Sequence, residues 1–411
     1  MGKKKKNEEN DAQASSEREH DDTLAASNPM RFLSAAASDW IPCAESDEGA
    51  EESRARLTDT LSQVLLTENL LVLSGLGTSL CVLDAEGEPA APRMSDLWDA
   101  VRTTTGDDFA KVIELVHYDT STGEDIEDLL SRCQALREVT DATSREIVER
   151  FVEQAEQEIV KLCRFVAPGD QLETHQAFLR KVARRSTRKP RLKLFTTNYD
   201  LCFEVAAQQS RFVVIDGFSH TLPQAFDGSY FAYDLVRREA GRETPAYISN
   251  VFHLYKLHGS VDWGQEGEQI LRSDNPERPV LVYPRHGKFA QSYEPPFIEM
   301  MARFQSALRE PDTGLVIVGV GFHDQHVWQP LLAAIRLNTS LRVVVIDPNL
   351  EASCDREPLT TMRQLIRSRD HRLLFLEATF ESAVPLLPDL TPDSEEERHR
   401  DRLQGREETD D

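Results

Sequence analysis

The sequence lacks the cysteine pairs and the long apolar runs that would place it among zinc-ribbon, redox or membrane proteins. Its six cysteines are scattered, and the closest two, Cys133 and Cys163, stand 30 residues apart, so no C-x-x-C pair is present. The longest apolar runs have the length of a strand, whereas a membrane span needs roughly 18 residues. We find no signal peptide. These absences predict a soluble protein of the reducing cytoplasm that has no membrane partner.

Basic residues are few relative to acidic ones, which excludes binding to nucleic acid through overall charge. The chain has 47 Lys and Arg against 71 Asp and Glu, a formal net charge of −24. A nucleic-acid contact would therefore need a local patch. The stretch from Arg180 to Lys193 is a candidate, because it holds eight basic residues and no acidic one. Two interpretations stay open: a solvated helix end with its loop, or a docking surface for DNA or an acidic partner.

Composition divides the chain into two tails, one domain and a helical insertion. Residues 1–29 and 391–411 carry almost no large apolar side chains, so we expect both charged tails to be disordered. The domain between them spans residues 30–390. Apolar residues recur at helical spacing between Ile126 and Leu162, which predicts a helical insertion at residues 95–185 within the domain.

Apolar segments of strand length alternate with helical segments outside the insertion. This alternation predicts an α/β fold with a Rossmann-like, doubly wound parallel sheet, because strands buried on both faces appear as continuous apolar runs. The predicted strands lie at residues 70–73, 192–195, 212–215, 252–257, 280–283, 315–318, 342–346 and 373–376. The later predicted helices lie at residues 174–185, 297–308, 328–337 and 360–366.

A glycine-containing turn follows the first predicted strand. It includes Gly75, Gly77, Thr78 and Ser79, and backbone amides in such a turn can approach a pyrophosphate near the start of a helix. The dinucleotide fingerprint G-x-G-x-x-G is incomplete here, because its third glycine is replaced by Leu80. An ordinary strand-to-helix turn is therefore an equal alternative.

Two more strands are followed by polar residues. Thr197, Asn198 and Asp200 follow the strand at 192–195. Two interpretations stay open: Thr197 or Asn198 caps the next helix, or these polar residues face a ligand. His258 follows the strand at 252–257 and precedes a glycine that would let a ligand come close. A lone histidine is more often structural than catalytic, so its position at a strand end is what makes it a candidate.

Two late strands end in residues typical of nucleotide sites. Gly319 and Gly321 follow the strand at 315–318, and Asp347 and Asn349 follow the strand at 342–346. A carboxylate at a strand end suits ribose hydroxyls, although Asp347 before a proline is equally typical of a turn. We predict no metal site, because the nearby histidines at positions 323 and 326 lack a convincing third ligand.

Taken in this order, these motifs resemble the sirtuin family, and in particular its bacterial sirtuin-like branch. The resemblance covers roughly residues 70–387 and implies a Rossmann-like domain that binds NAD. Deacylating sirtuins carry a four-cysteine zinc module after the catalytic histidine, whereas this chain has no cysteine between His258 and Gly319. The resemblance therefore extends to the NAD hydrolases of bacterial anti-phage systems, which arrest or kill an infected cell by draining NAD.

The resemblance assigns each candidate a role. Asn198 would orient a water and a ribose hydroxyl, and His258, expected to be neutral, would be the general base. Asp200 would position the nicotinamide-ribose side. The remaining cofactor-binding candidates are Gly75, Gly77, Thr78 and Ser79 at the pyrophosphate, Asp347 and Asn349 at the adenosine end, and the glycines Gly319 and Gly321.

Partners are also expected from the resemblance. Sirtuin-like proteins of this size resemble those encoded with a HerA-type hexameric ATPase, and this chain has no G-x-x-x-x-G-K-[ST] motif of its own. We therefore expect a homo-oligomer that cleaves NAD+ to nicotinamide and ADP-ribose as an abortive-infection effector activated with a partner ATPase. The alternatives are an NAD-dependent deacylase and a non-catalytic nucleotide- or DNA-associated subunit of a defence complex.

Overall fold

A computed structural model gives the architecture of the chain. It describes residues 30–46, 49–137, 139–238, 246–282 and 295–390. The predicted disorder of both tails concerns residues outside these ranges. No helix in the described part of the chain is both long enough and apolar enough to cross a membrane.

The described strands and helices are numbered here along the chain. The strands are β1 (Arg31–Ser34), β2 (Ile41–Pro42), β3 (Asn69–Ser74), β4 (Lys193–Thr196), β5 (Val213–Ile215), β6 (Val236–Arg237), β7 (Ala246–Tyr247), β8 (Val251–Lys256), β9 (Gly259–Glu266), β10 (Gln269–Arg272), β11 (Pro279–Leu281), β12 (Thr313–Val318), β13 (Arg342–Ile346) and β14 (Leu373–Glu377). The α-helices are α1 (Ala50–Leu65), α2 (Met94–Thr105), α3 (Asp107–Leu115), α4 (Ile126–Arg137), α5 (Ala142–Cys163), α6 (Glu173–Ala183), α7 (Cys202–Gln209), α8 (Phe297–Ala307), α9 (Gln325–Leu337), α10 (Leu359–Arg367) and α11 (Phe380–Ala383).

Nine strands form the main sheet in the order β2-β1-β14-β13-β12-β3-β4-β8-β5. Strands β14 to β5 in that order are all parallel, and β1 pairs antiparallel with β14 at one side. The chain builds outward from β3 on one side and later returns to β12 on the other. The boundary between β3 and β12 is thus the topological switch point of an open α/β sheet. This confirms the predicted α/β, largely parallel fold.

The apolar strand segments do not alternate with polar residues because both faces of the sheet are covered. Leu71 and Leu73 of β3 pack in one core cluster, while Leu70 and Val72 pack in another on the opposite face. Helices α8, α9 and α10 contribute to the first cluster, and α1, α6, α7 and α11 to the second. Burial on both sides explains the unbroken apolar runs that predicted these strands.

An extra helical segment lies between β3 and β4. Helices α2 to α5 enclose a third apolar cluster around Trp98, Phe109 and Phe151. Tyr199 and Val261 belong to the same cluster, so the segment packs against the chain that follows β4 and against β9. Helix α6 falls within the range predicted for the insertion, but its apolar face packs in the sheet core instead.

One predicted strand has a different place in the fold. Strand β11 overlaps the segment predicted at 280–283, yet it pairs antiparallel with β9 in a separate sheet of order β10-β9-β11. Residue 283 lies outside the described ranges. The prediction of a main-sheet strand here was wrong, because a short apolar run shows that a strand is buried but not which strand it pairs with.

The basic stretch from Arg180 to Lys193 is mostly engaged within the protein. Arg185 donates to the carbonyl oxygens of Leu65 at 2.9 Å and Thr67 at 2.6 Å, where helix α1 ends. These bonds satisfy carbonyl groups that a helix terminus leaves open. Other cations of the stretch bond elsewhere: Lys181 to Leu387 and Asp389, Lys189 to Leu66 and Thr67, Arg191 to Asp234, and Lys193 to Glu310. Arg180 and Arg188 are the exposed cations of the stretch, and its role as a docking surface stays a prediction.

A buried histidine should make stability depend on pH. His175 of α6 is fully buried between the rings of Phe203 and Phe380, each with a centroid 5.2 Å away. Burial lowers the pKa of His175 from 6.5 to about 4, although Asp200 acts in the opposite direction. Between pH 6.5 and about pH 4, His175 is therefore protonated in the unfolded chain and neutral in the folded chain. As pH falls through this window, His175 lowers the free energy of unfolding by up to about 3 kcal/mol.

His175→Leu should reduce this loss, as measured by urea unfolding at pH 7 and pH 4.5. Burial also lowers the pKa of His253 to about 4. Part of the loss of stability on acidification should therefore remain in His175→Leu. The control is His371→Leu at an exposed position. A His175→Leu variant that loses as much stability on acidification as the wild type would contradict this account.

Candidate functional site

Four neighbouring strands end together at one edge of the main sheet. Val318 of β12 pairs with Ser74 of β3, Ser74 with Thr196 of β4, and Thr196 with Lys256 of β8. The loops after these strands therefore start at the same level. They carry the glycine turn, the Asn198 segment, the His258 segment and the Gly319 segment, so the candidates from four distant stretches meet at the switch point.

The glycine turn packs directly against the loop after β12. A Cβ on Gly77 would lie 2.5 Å from the Cα of Gly319, and a Cβ on Gly75 would lie 2.6 Å from the Gly319 carbonyl oxygen. Gly319 itself has φ of +62°, a conformation that favours glycine. Glycine is required at these positions because the two backbones touch.

The amides of Gly75, Gly77, Thr78 and Ser79 donate to carbonyl groups within the protein, and the contact of this turn with a pyrophosphate stays a prediction. Gly75 donates to Val318 O at 3.1 Å, Gly77 to Gly319 O at 3.0 Å, and Thr78 and Ser79 to carbonyls within the turn. The segment Leu76–Thr78 forms a 3-10 turn, which uses these donors locally. A phosphate would have to replace some of these bonds or contact other atoms.

Asn198 is buried and tied to the glycine turn. Its Nδ2 group donates to the carbonyl oxygen of Gly75 at 2.9 Å and to Ser79 Oγ at 2.8 Å, with Thr78 Oγ1 at 3.3 Å. Ser79 Oγ donates in turn to Asp200 Oδ2 at 2.7 Å. Three side chains predicted for the site therefore form one hydrogen-bonded chain.

Asp200 also forms a hydrogen bond at the start of helix α7. Its Oδ1 atom accepts from the backbone amide of Cys202 at 3.0 Å, at the first residue of α7. The helix start is thus served by Asp200 rather than by Thr197 or Asn198, the residues we expected to cap it. Asn198 is left with the glycine turn as its partner.

Lys256 was missed in the sequence, although it stands two residues before His258. Its side chain is 2% exposed, and Nζ donates to the carbonyl oxygens of Tyr199 and Asp200 and to the Glu204 carboxylate at 3.0 Å. A buried ammonium needs such partners. Lys256 therefore fixes the backbone of the Asn198 segment, and a lysine near the end of a mostly apolar predicted strand was the available signal.

His258 is paired with a carboxylate that the sequence analysis did not assign. Its Nε2 atom lies 2.8 Å from Asp324 Oδ2, and His258 is 7% exposed. Burial lowers the pKa of His258, but the hydrogen bond and charge of Asp324, together with Glu127, outweigh burial and raise it. The same pairing overcomes burial at Asp324 and lowers the pKa of that carboxyl. The Asp324 and Glu127 carboxyl groups thus stabilise the protonated form of His258 relative to the neutral form that we expected.

The loop carrying Asp324 crosses the site. Asp324 lies six residues after the end of β12, yet it contacts His258, the second residue after β8, and β3 and β4 lie between these strands. The crossing is consistent with the burial beneath it: Thr78 and Ser79 are fully buried, and Asn198 is 9% exposed. Gly321 lies on the exposed side of this loop. The candidate site is closed in this structure.

Asp347 and Asn349 lie at the same edge, one strand beyond β12. Asp347 Oδ1 accepts from the backbone amide of Asn349 at 2.8 Å. Burial, with the charge of Glu377, raises the pKa of Asp347 to about 6. Asn349 is exposed. This pair lies apart from the hydrogen-bonded chain around Asn198, and its adenosine-side role stays a prediction.

A cavity of about 740 Å³ lies elsewhere, against α5 of the extra helical segment. Its lining mixes acidic and basic side chains, among them Arg150, Glu153 and Lys161, and includes none of the candidate residues. Among the described residues, no group of three or more His, Cys, Asp or Glu side chains could hold a metal ion. We therefore place the candidate chemistry at the strand ends.

Comparison with known proteins shows similarity of one part of the chain to a known family. Two solved structures, both described as mutants of a Sir2 homologue in complex with ADP-ribose, show 16% and 14% identity with TM-scores of 0.41 and 0.36. Each alignment covers 82% of this chain and 99% of the other. No curated protein matches the chain. Residues 192–363 match the family model described as SIR2-like domain, and the segments of Asn198, His258 and Asp324 lie within the matched residues.

Proposed function

We propose that this protein is an NAD+ hydrolase that cleaves NAD+ to nicotinamide and ADP-ribose. The observation that carries the proposal is the His258–Asp324 pair at the end of β8, beside Asn198 at the end of the adjacent parallel strand. These residues lie in the part of the chain that matches the SIR2-like domain. The lack of cysteine between His258 and Gly319 leaves no place there for the zinc module of deacylating sirtuins.

The reaction needs a developing positive charge on the ribose to be stabilised and a water to be placed at its anomeric carbon. The bond to the nicotinamide nitrogen breaks, and its electron pair leaves with nicotinamide. A water oxygen forms the new bond and gives up a proton. Because Nδ2 of Asn198 is bonded to the glycine turn, the side-chain carbonyl oxygen is the group that can accept from that water or from a ribose hydroxyl.

His258 would take the proton. With its Nε2–H donated to Asp324, the other ring nitrogen is the basic atom. Asp324 then stabilises the imidazolium that forms, as an acidic partner does for other catalytic histidines. Thr78, Ser79 and the glycines would contact the pyrophosphate once the loop after β12 moves, and Asp347 with Asn349 would meet the adenosine ribose.

A hydrolase that drains NAD must be restrained in the cell that makes it. The burial of Asn198 and His258, with their polar atoms bonded inside the protein, supports a resting form that opens on activation. We assign the protein to bacterial anti-phage defence as an abortive-infection effector, acting as a homo-oligomer with a HerA-type ATPase. This assignment follows from the sirtuin-like resemblance of the sequence.

Turnover of NAD+ tests the proposed activity. Purified protein incubated with NAD+, alone and with the protein encoded beside it, should release nicotinamide and ADP-ribose in equal amounts, measured by chromatography. His258→Gln should lower kcat by about 10² to 10⁴-fold, because glutamine can still donate to Asp324 but cannot act as the base. Its melting temperature should stay close to the wild-type value, and the exposed His371→Gln is the matched control.

Other outcomes would select the alternatives. Nicotinamide that appears only with an acetylated peptide, together with O-acetyl-ADP-ribose, would identify a deacylase. Binding of ADP-ribose without any consumption of NAD+, with or without the partner, would identify a non-catalytic subunit. Wild-type turnover in His258→Gln would remove this histidine from the mechanism.

Replacement of Asp324 tests whether its charge sets the pKa of His258. Asp324→Asn keeps the size of the side chain but removes the charge that raises the pKa of His258. The pKa of the histidine should fall, so the acidic limb of the kcat/KM profile should move to lower pH, while kcat drops because the imidazolium loses its stabilising partner. The measurement is NAD+ turnover across pH. An unchanged acidic limb would show that Asp324 does not set the charge of the base.

A further inference from the structure

The extra helical segment places a carboxyl group beside the candidate site. Glu127 lies in the first turn of α4, and its Oε1 atom is 2.9 Å from the hydroxyl oxygen of Tyr199. Tyr199 stands between Asn198 and Asp200, is 8% exposed and packs in the cluster of the helical segment. Tyr199 therefore joins the helical segment to the loop that carries Asn198.

The contact between Glu127 and Tyr199 has two possible arrangements, which differ in the position of one proton. The Tyr199 hydroxyl oxygen also lies 3.0 Å from the carbonyl oxygen of Val282. A hydroxyl has one proton, and both an ionised carboxylate and a carbonyl can only accept. Both contacts are hydrogen bonds when Glu127 is protonated and donates to Tyr199, which then donates to Val282. When Glu127 is ionised, Tyr199 can donate to only one of the two.

Charged groups from several elements face Glu127. Burial raises the pKa of Glu127, and the nearby carboxyl groups of Asp125 and Asp324 raise it further. The charge of His258 and the hydrogen bond of Tyr199 lower this pKa, but the net effect is a rise. Cys163 of α5 also faces Glu127 and remains a neutral thiol, because burial raises its pKa. The imidazolium of His258 is the favourable partner for an ionised Glu127, and Glu127 in turn favours that imidazolium.

We propose that Glu127 is a positioning residue of this site that anchors the Asn198 loop through Tyr199 and whose charge is coupled to the charge of His258. Ionised Glu127 holds the histidine in its protonated form, and protonated Glu127 releases it to act as a base. The placement of α4 then controls the charge of the histidine, so a contact that shifts the helical segment changes the activity of the site. The link to catalysis rests on the proposed hydrolase function, whereas the proton coupling does not.

The direct test is the titration of His258 by NMR in the full chain with isotope-labelled histidine, its signal assigned through His258→Gln. Glu127→Gln should lower the midpoint of the His258 titration, because the negative charge that favours the imidazolium is removed while Asp324 is kept. Glu124→Gln is the control, since it removes the same charge from an exposed position just before α4. A Glu127→Gln curve that superimposes on the wild-type curve would overturn the proposal.

Tyr199→Phe gives a second, independent variant. It keeps the ring but removes the hydroxyl whose hydrogen bond favours ionised Glu127. Glu127 should then stay protonated to higher pH, and the His258 midpoint should fall in the same direction as in Glu127→Gln. An unchanged or raised midpoint in Tyr199→Phe would contradict the coupling, even if Glu127→Gln fails to fold.

Turnover separates this proposal from the hydrolase proposal. In an active enzyme, Glu127→Gln should move the acidic limb of kcat/KM to lower pH and leave KM for NAD+ near the wild-type value, because Glu127 acts through His258. A shifted NMR midpoint without NAD+ turnover in any form would retain the coupling and refute the hydrolase. Wild-type turnover with unshifted titrations would retain the hydrolase and refute the coupling.

Discussion

The backbone contact between Gly77 and Gly319 fixes the geometry of this end of the sheet. Any side chain on Gly77 would meet the Cα of Gly319, so the loops after β3 and β12 can lie together only because both residues are glycine. This contact sets the start of the loop that carries Asp324 across to His258. A methyl group at Gly77 would push the loops apart and separate Asp324 from His258.

Hydrogen bonds among the polar residues at this edge orient their side chains and also occupy the polar atoms that a ligand would contact. Asn198, Ser79 and Asp200 are joined by hydrogen bonds, and His258 is joined to Asp324. Such a buried, satisfied network orients each side chain for chemistry at little further entropic cost. The same bonds must be exchanged before a dinucleotide can enter. A resting enzyme that needs a partner to open would have this arrangement.

The sequence predicts what depends on local pattern, and it misses what depends on distant contacts. Apolar runs predict the strands of the parallel sheet, and polar residues directly after them locate Asn198 and His258. Glu127 and Asp324 escape this reasoning because they stand 72 and 66 residues from Tyr199 and His258, the groups they contact. The role of Arg185 also depends on a contact that is distant in the sequence, because Arg185 donates to the carbonyl oxygen of Leu65 at the end of α1.

The central claim is that the four strand-end loops form the site for an ADP-ribose moiety. Hydrogen exchange measured by mass spectrometry, with and without ADP-ribose, tests it most directly. The account predicts that ADP-ribose changes amide exchange in residues 74–80, 196–202, 257–261 and 319–326 together, since binding must rearrange bonds that link these loops. A change confined to the cavity against α5, or no change at a saturating concentration, would contradict it.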